Sequence, residues 1–114
     1  MGLESYSPYD AYGMRALAAS LQKQAQSLGT AASEIDAASI GMTFDGPAGD
    51  SVRQRLSGVF RALTDDATAL QGAASALLTA AQQVDDFNAR VSRHNADYLA
   101  SLPPAERKLV EINQ

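Results

Sequence analysis

The sequence contains no cysteine, and His94 is its single histidine. The lack of cysteine excludes a disulfide framework, a thiol nucleophile, and zinc or iron–sulfur clusters bound by thiolates. One histidine excludes a multi-histidine metal site, and the sequence has neither a glycine-rich phosphate loop nor a nucleophile–base pair. We therefore predict that the protein is not an enzyme and has no catalytic residues, no metal and no cofactor.

Concentrated positive charge and long apolar runs are also absent. The net charge is −4 and the nine basic residues are scattered, so we expect no nucleic-acid partner. No apolar run reaches the roughly 18 to 20 residues of a membrane span. The first ten residues hold neither a basic nor an apolar segment, so we expect no Sec signal peptide and a cytosolic protein unless another route exports it.

Large apolar side chains are few for a chain of this length. Of 52 apolar residues, 22 are alanine, which leaves 30 large ones among 114. This composition is typical of narrow apolar stripes on long helices. We predict one domain, residues 1–114, whose core is shared in part with another chain.

The first helix is predicted over residues 10–40, after an irregular arm at 1–9. Asp10 is a favourable N-cap, and Ile40-Gly41 is suited to a helix end. Apolar residues recur every seven positions in a row formed by Met14, Leu21, Leu28 and Ile35. A second row three residues later contains Leu17, Ala31 and Ala38, while Ala18, Ala25 and Ala32 widen the stripe.

The second helix is predicted over residues 47–102, after a turn at 41–46. Pro47 suits its first turn, and Pro103-Pro104 blocks its continuation. Seven successive heptad positions are occupied by Leu56, Leu63, Leu70, Leu77, Val84, Val91 and Tyr98. Phe87 lies in the complementary row. A repeat of seven predicts left-handed, coiled-coil-like packing. In the tail, 103–114, residues 105–112 suit a short third helix.

Two helices joined by a short turn are expected to lie antiparallel, which makes the fold class an all-α helical hairpin. Folding about the turn sets Ile35 opposite Val52, and Met14 opposite Ala73 or Ala74. The second helix is then the longer one, and residues 82–102 extend past the first helix. Their apolar stripe predicts either another chain or a bend at Asp85-Asp86 that folds the overhang back.

The turn carries the residues Phe44-Asp45-Gly46-Pro47-Ala48, followed by Val52 and Leu56 at helical spacing. In this setting the chain resembles the WXG family of small type VII (ESX) secretion substrates, whose turn is Trp-x-Gly; Phe44 takes the place of the tryptophan. The similarity covers roughly residues 10–100. Phe44, Gly46 and Pro47 would form the turn motif at the tip of the hairpin.

The resemblance implies a four-helix bundle built from two hairpins, as a homodimer or with a paralogue or the helical N-terminal region of a larger effector or toxin. It also implies the secretion machinery as a partner, a cytoplasmic stage, and export to the medium or cell surface without a Sec signal. Such pairs usually carry Tyr-x-x-x-Asp/Glu after the second helix. Here Leu102 stands four residues after Tyr98. Either a partner supplies the signal, or this chain serves as a targeting partner in the cytosol.

The expected function is therefore that of a secreted or secretion-partner protein acting through helix pairing. The alternative is a cytosolic coiled-coil adaptor or export chaperone that is not itself secreted. Two smaller questions stay open at this point. His94 is either a pH-sensitive contact to a partner or a polar residue at the edge of the stripe. Tyr6, Tyr9 and Tyr12 either anchor the arm on a partner or pack near Leu77 and Ala81 of the same chain.

Overall fold

A computed structural model describes residues 2–40 and 46–112, and a long antiparallel pair of helices dominates it. Helix α1 spans Ala11–Ile40, α2 spans Gly46–Ser101 and α3 spans Pro104–Ile112. No strand occurs among these described residues. The molecule measures 89 × 18 × 16 Å, so its long axis is that of α2. The predicted all-α helical hairpin is confirmed, and its assembly into a four-helix bundle stays a prediction.

The start of α1 is shaped by Asp10, whose carbonyl accepts the Met14 N–H at 3.0 Å. A Cβ built on Gly13 would lie 2.5 Å from the Asp10 carboxylate, so the side chain folds over the first turn in the manner of an N-cap. Glycine at position 13 leaves room for that carboxylate.

The core of α1 is a row of alanines. Ala18, Ala25 and Ala32 are 0 to 2% exposed, and the larger residues four positions before or three after them are half-buried. Leu17 is 51% exposed. The predicted second row is therefore wrong at Leu17 and Ala38, which are exposed, while Ala31 is half-buried. The alanines that were predicted to widen the stripe form its centre. Small side chains let two helices approach closely, and that close approach outweighs the larger area that Leu17 would bury.

In α2 two heptad rows face α1 and the arm. The first is the predicted row from Leu56 to Tyr98, in which Val84 and Val91 are fully buried and the others half-buried. The second row, four residues after each member of the first, we call the alanine–asparagine row: Phe60, Ala67, Ala74, Ala81, Asn88 and Asn95. Its three alanines are buried and its two asparagines are half-buried.

The predicted register between α1 and α2 is wrong by one to two heptads. Met14 lies beside Val84 and Phe87, and Arg15 forms an ion pair with Asp85. At the other end, Ile35 borders the same cleft as Leu56 and Phe60, whereas Val52 was expected there. A heptad pattern repeats after seven residues, so sliding one helix by a heptad presents the same stripe to its neighbour. The stripe alone therefore left several registers equally compatible with the sequence.

The overhanging end of α2 is covered by this chain's own arm, residues 2–10. α2 continues as one helix across Asp85-Asp86, so the predicted alternative of a bend is wrong. The arm runs in extended form beside α2, and Val91 beneath it is 1% exposed. The register moves α1 towards the C-terminal end of α2, which shortens the length that the arm must cover.

The C-terminal end of α2 is capped by α3. The Arg107 guanidinium donates to the carbonyls of Leu99 at 2.9 Å, and of Ala100 and Leu102 at 3.3 Å. The last carbonyls of a helix have no partner within it, and the helix dipole favours positive charge at that end. Arg107 therefore supplies both hydrogen-bond donors and a positive charge to the end of α2. The apolar Leu109 and Ile112 of α3 stay 61 and 75% exposed.

Candidate interaction surfaces

The first surface of interest is the groove where the arm lies on α2. Asn95 Oδ1 accepts the Glu4 N–H at 2.8 Å, and Asn95 Nδ2 donates to the Glu4 carbonyl at 3.1 Å. Two helical turns earlier in α2, Asn88 Oδ1 accepts the Ser7 N–H at 2.8 Å. An extended segment offers unpaired N–H and C=O groups, and an asparagine amide carries both a donor and an acceptor. The two asparagines therefore hold the arm by its backbone.

These two residues were missed by reasoning from the sequence. Asn88 and Asn95 are seven residues apart in a row that is otherwise apolar, and the row changes from alanine to asparagine where its neighbour changes from a helix to an extended arm. Alanine suits close helix packing, whereas asparagine suits a backbone that needs hydrogen-bond partners. The change of residue type within one heptad row is the signal that could have located the arm.

His94 lies beside the asparagines and contacts the same arm. Its Nε2 lies 2.9 Å from the Gly2 carbonyl and 3.7 Å from a Glu4 carboxylate oxygen. Since a carbonyl only accepts, Nε2 carries the proton in this contact. The histidine thus contacts its own chain from a half-buried position three residues after Val91, as expected for a polar residue at the edge of the stripe. A pH-sensitive contact to a partner stays a prediction.

The tyrosines of the arm and the first turn face outward. Tyr6, Tyr9 and Tyr12 are 55, 67 and 83% exposed, so they do not pack into the core of this chain. Tyr9 borders a cleft of about 370 Å³ whose other walls include Met14 and Phe87. Packing within the chain is therefore excluded for Tyr12, and Tyr9 belongs to a mostly apolar, open cleft.

The residues predicted for the core or interface fall into three groups by exposure. Val84 and Val91 are buried, and Leu17 and Phe87 are exposed at 51 and 40%. The rest are half-buried: Met14, Leu21, Leu28, Ile35, Leu56, Leu63, Leu70, Leu77 and Tyr98. The hairpin brings the half-buried and buried residues into one seam and leaves Leu17 and Phe87 on its flank.

Of the predicted turn motif, Gly46 and Pro47 are described and Phe44 lies outside the described residues. Gly46 opens α2 with a φ of +75°, a conformation that side chains disfavour and glycine adopts freely. Pro47 follows in the first turn, where its missing N–H has no partner to lose.

The two flanks of α2 outside the seam differ sharply. One flank, which we call the polar flank, consists of two heptad rows in which Leu78 is the single large apolar residue. Its members are Ser57, Thr64, Gln71, Leu78, Asp85, Ser92 and Gln54, Arg61, Thr68, Ser75, Gln82, Ala89, Ala96. The other flank, which we call the alanine face, consists of Val52, Val59, Asp66, Ala73, Ala80, Phe87 and Arg55, Ala62, Ala69, Ala76, Gln83, Arg90, Asp97. Every residue of the alanine face is exposed except the half-buried Ala80.

Sites for other ligands are not found in the part of the chain that is described. Residues 2–40 and 46–112 hold no group of acidic or histidine side chains able to bind a metal ion. Over the same residues, no helix has the length and apolarity to cross a membrane. The chain matches no family model, no curated protein and no solved structure. The resemblance to the WXG family is therefore carried only by the residues quoted for it.

Proposed function

We propose that this protein is a non-catalytic partner or substrate of a type VII (ESX-like) secretion system and acts by pairing its hairpin with a second helical hairpin. The second hairpin belongs to another copy, a paralogue or the helical N-terminal region of a larger effector. The protein is cytoplasmic before export and then reaches the medium or cell surface.

The observation that carries the pairing is the thinness of the core. Every fully buried side chain among the described residues is alanine or valine, and the leucines of the seam remain half-buried. A two-helix layer 16 to 18 Å thick can cover its leucines from one side only. A second hairpin would cover the exposed edges of these leucines and complete a four-helix core.

The secretion part of the proposal has a different support. It comes from the Phe44-Asp45-Gly46-Pro47 turn motif, which lies in the sequence between the end of α1 and the start of α2. The positive φ of Gly46 agrees with a glycine-dependent turn at that point. In this proposal, export uses signals that the folded pair carries.

Pairing is tested by measuring the light-scattering mass of the purified chain together with its circular dichroism. A helical species at about twice 12.0 kDa supports pairing with itself, and a poorly folded chain that a second hairpin rescues supports a different partner. Leu70→Asp should abolish either assembly because it places a charge in the seam. Gln71→Asp, on the polar flank, is the matched control. An unchanged mass for Leu70→Asp would contradict the proposal.

Export is tested separately by following the protein in culture medium, with a cytosolic marker to exclude lysis. We expect the chain in the medium only when the type VII system is intact. Phe44→Ala and Gly46→Ala should lower export while leaving the mass of the pair unchanged. Retention of a correctly paired protein inside the cell would instead favour the cytosolic adaptor or export chaperone.

A further inference from the structure

The alanine face of α2 is an exposed surface with an unusual composition. Eight of its thirteen residues are apolar, and five of these eight are alanine. Phe87 and Val59, towards its two ends, are 40 and 46% exposed, although both are large apolar residues. Over the same part of α2 the polar flank has three apolar residues among thirteen, Leu78, Ala89 and Ala96, and only Leu78 is large. This asymmetry marks one side of α2 as the side that another helix would cover.

The four charged residues of the alanine face lie on both sides of its centre, one pair symmetrically and the other pair offset by about one helical turn. Arg55 and Asp97 stand 21 residues before and after Ala76. Asp66 stands 10 residues before Ala76 and Arg90 stands 14 after it, a difference of about one helical turn or ~6 Å. The order of charges is therefore plus, minus, then plus, minus. An antiparallel copy of the same helix therefore presents the opposite charge at each place along the face.

These charges also have no ionic partner within the described part of the chain. The ion pairs there are Arg15–Asp85, Arg53–Asp50 and the contact of His94 with Glu4. None of them involves the alanine face. Arg90 instead stacks on Phe87, with its guanidinium carbon 5.9 Å from the ring centre.

We propose that a second copy of this chain docks antiparallel on the alanine face, with the two-fold axis passing near Ala76. The proposal rests on the hairpin pairing proposed above and names the partner as an identical chain. In this arrangement Arg55 meets Asp97 of the partner subunit, and Asp66 meets Arg90 of the partner subunit. The symmetry repeats each pair, so the interface gains four ion pairs. No charge of the face then lies opposite a charge of the same sign.

The alanines at the centre set the distance between the two helices. Ala69, Ala73, Ala76 and Ala80 offer no side chain beyond Cβ, so two backbones can approach closely at the axis. From Arg55 to Asp97 the face is ~63 Å long, and a helix is ~10 Å wide, which gives roughly 600 Å² per chain. A standard interface buries about 800 Å² per partner, so we expect a dimer that dissociates on dilution.

The axis is tested with single cysteines, which report only contacts between chains because the protein has no cysteine of its own. Ala76→Cys places two thiols opposite each other at the axis. In the proposed dimer the two Cα atoms there lie within the ~4.4–6.8 Å that a disulfide needs. Ser75→Cys, the neighbour on the polar flank, is the matched control. Under mild oxidation at dimer-forming concentration, Ala76→Cys should cross-link about tenfold faster than Ser75→Cys. Equal rates would overturn the proposal.

The ion pairs are tested by exchanging charges. Arg55→Asp and Asp97→Arg should each weaken the dimer by about tenfold, because each creates two like-charge contacts. An equimolar mixture of the two variants should dimerise again, since each chain then supplies what the other has lost. Arg61→Asp, on the polar flank, is the control and should change nothing. Failure of the mixture to recover would overturn the proposed register.

The outcomes separate this proposal from the proposed function. A monomer that does not cross-link through Ala76→Cys, but is exported together with a different hairpin, overturns self-docking and leaves the function standing. A dimer that cross-links as expected, but stays inside a cell with an intact secretion system, supports the docking geometry and contradicts the secretion function.

Discussion

The contact between the arm and α2 gives the sharpest prediction about this structure. Asn95→Ala removes both hydrogen bonds to Glu4, the 2.8 Å bond from its N–H and the 3.1 Å bond to its carbonyl. A hydrogen bond contributes about 0.5–1.5 kcal/mol net, and these two are exposed to water, so the lower half of that range applies. We expect the arm to be held about 1–2 kcal/mol less tightly, which is a factor of roughly 5 to 30 in its release.

The measurement is hydrogen exchange of individual backbone amides by NMR. In the unmodified chain the Glu4 and Ser7 amides should exchange more slowly than those of Ser5 and Tyr6, for which the structure gives no such acceptor. Asn95→Ala should speed exchange at Glu4 by the factor above.

Two comparisons make the result decisive. Asn88→Ala should speed exchange at Ser7, whose N–H its amide accepts, by more than it does at Glu4. Ser92→Ala lies between the asparagines on the exposed side of the helix and should leave both amides unchanged. If Glu4 stays as protected in Asn95→Ala as in the unmodified chain, the asparagine side chain does not hold the arm and the reasoning is refuted.

Three further predictions concern stability. Ala25→Leu should destabilise the hairpin by about 1–3 kcal/mol, because the close approach of the helices leaves no room for a larger side chain. The control Ala16→Leu, on the exposed side of α1, should change the denaturation midpoint little. Val91→Ala should cost about 2 kcal/mol in urea denaturation, since Val91 is 1% exposed beneath the arm; no loss would mean that the arm does not cover it. Arg107→Ala should cost about 1 kcal/mol and speed amide exchange in α3, an effect that circular dichroism and NMR would together detect.

The helices and their ends follow closely from local sequence. The seven-residue spacing from Leu56 to Tyr98 predicts one long helix, and Pro103-Pro104 predicts its end within a residue of Ser101. Asp10 and Gly46 predict a helix start and a turn for similarly local reasons. These features depend on a few neighbouring residues, so they survive in the folded chain whatever that chain packs against.

The phase of the α1 stripe was predicted less well. The second row was predicted through Leu17, with Ala18 and its heptad equivalents only widening the stripe, yet Leu17 is on the flank and Ala18 in the core. The choice depends on how closely α2 approaches, and that distance is set by side chains on both helices. A single helix therefore does not reveal which of two adjacent rows becomes the centre of the seam.

By itself, the sequence determined the all-α class, the two long helices, the absence of cysteine chemistry and the contrast between the flanks of α2, since each of these depends on residue type and spacing along one chain. Only the tertiary structure decided the register and the position of the arm. A heptad repeat looks the same after a shift of seven residues, so Arg15 finds Asp85 only in three dimensions. The arm has no periodicity of its own, and it is ordered by Asn88 and Asn95, which lie more than 80 residues away along the chain.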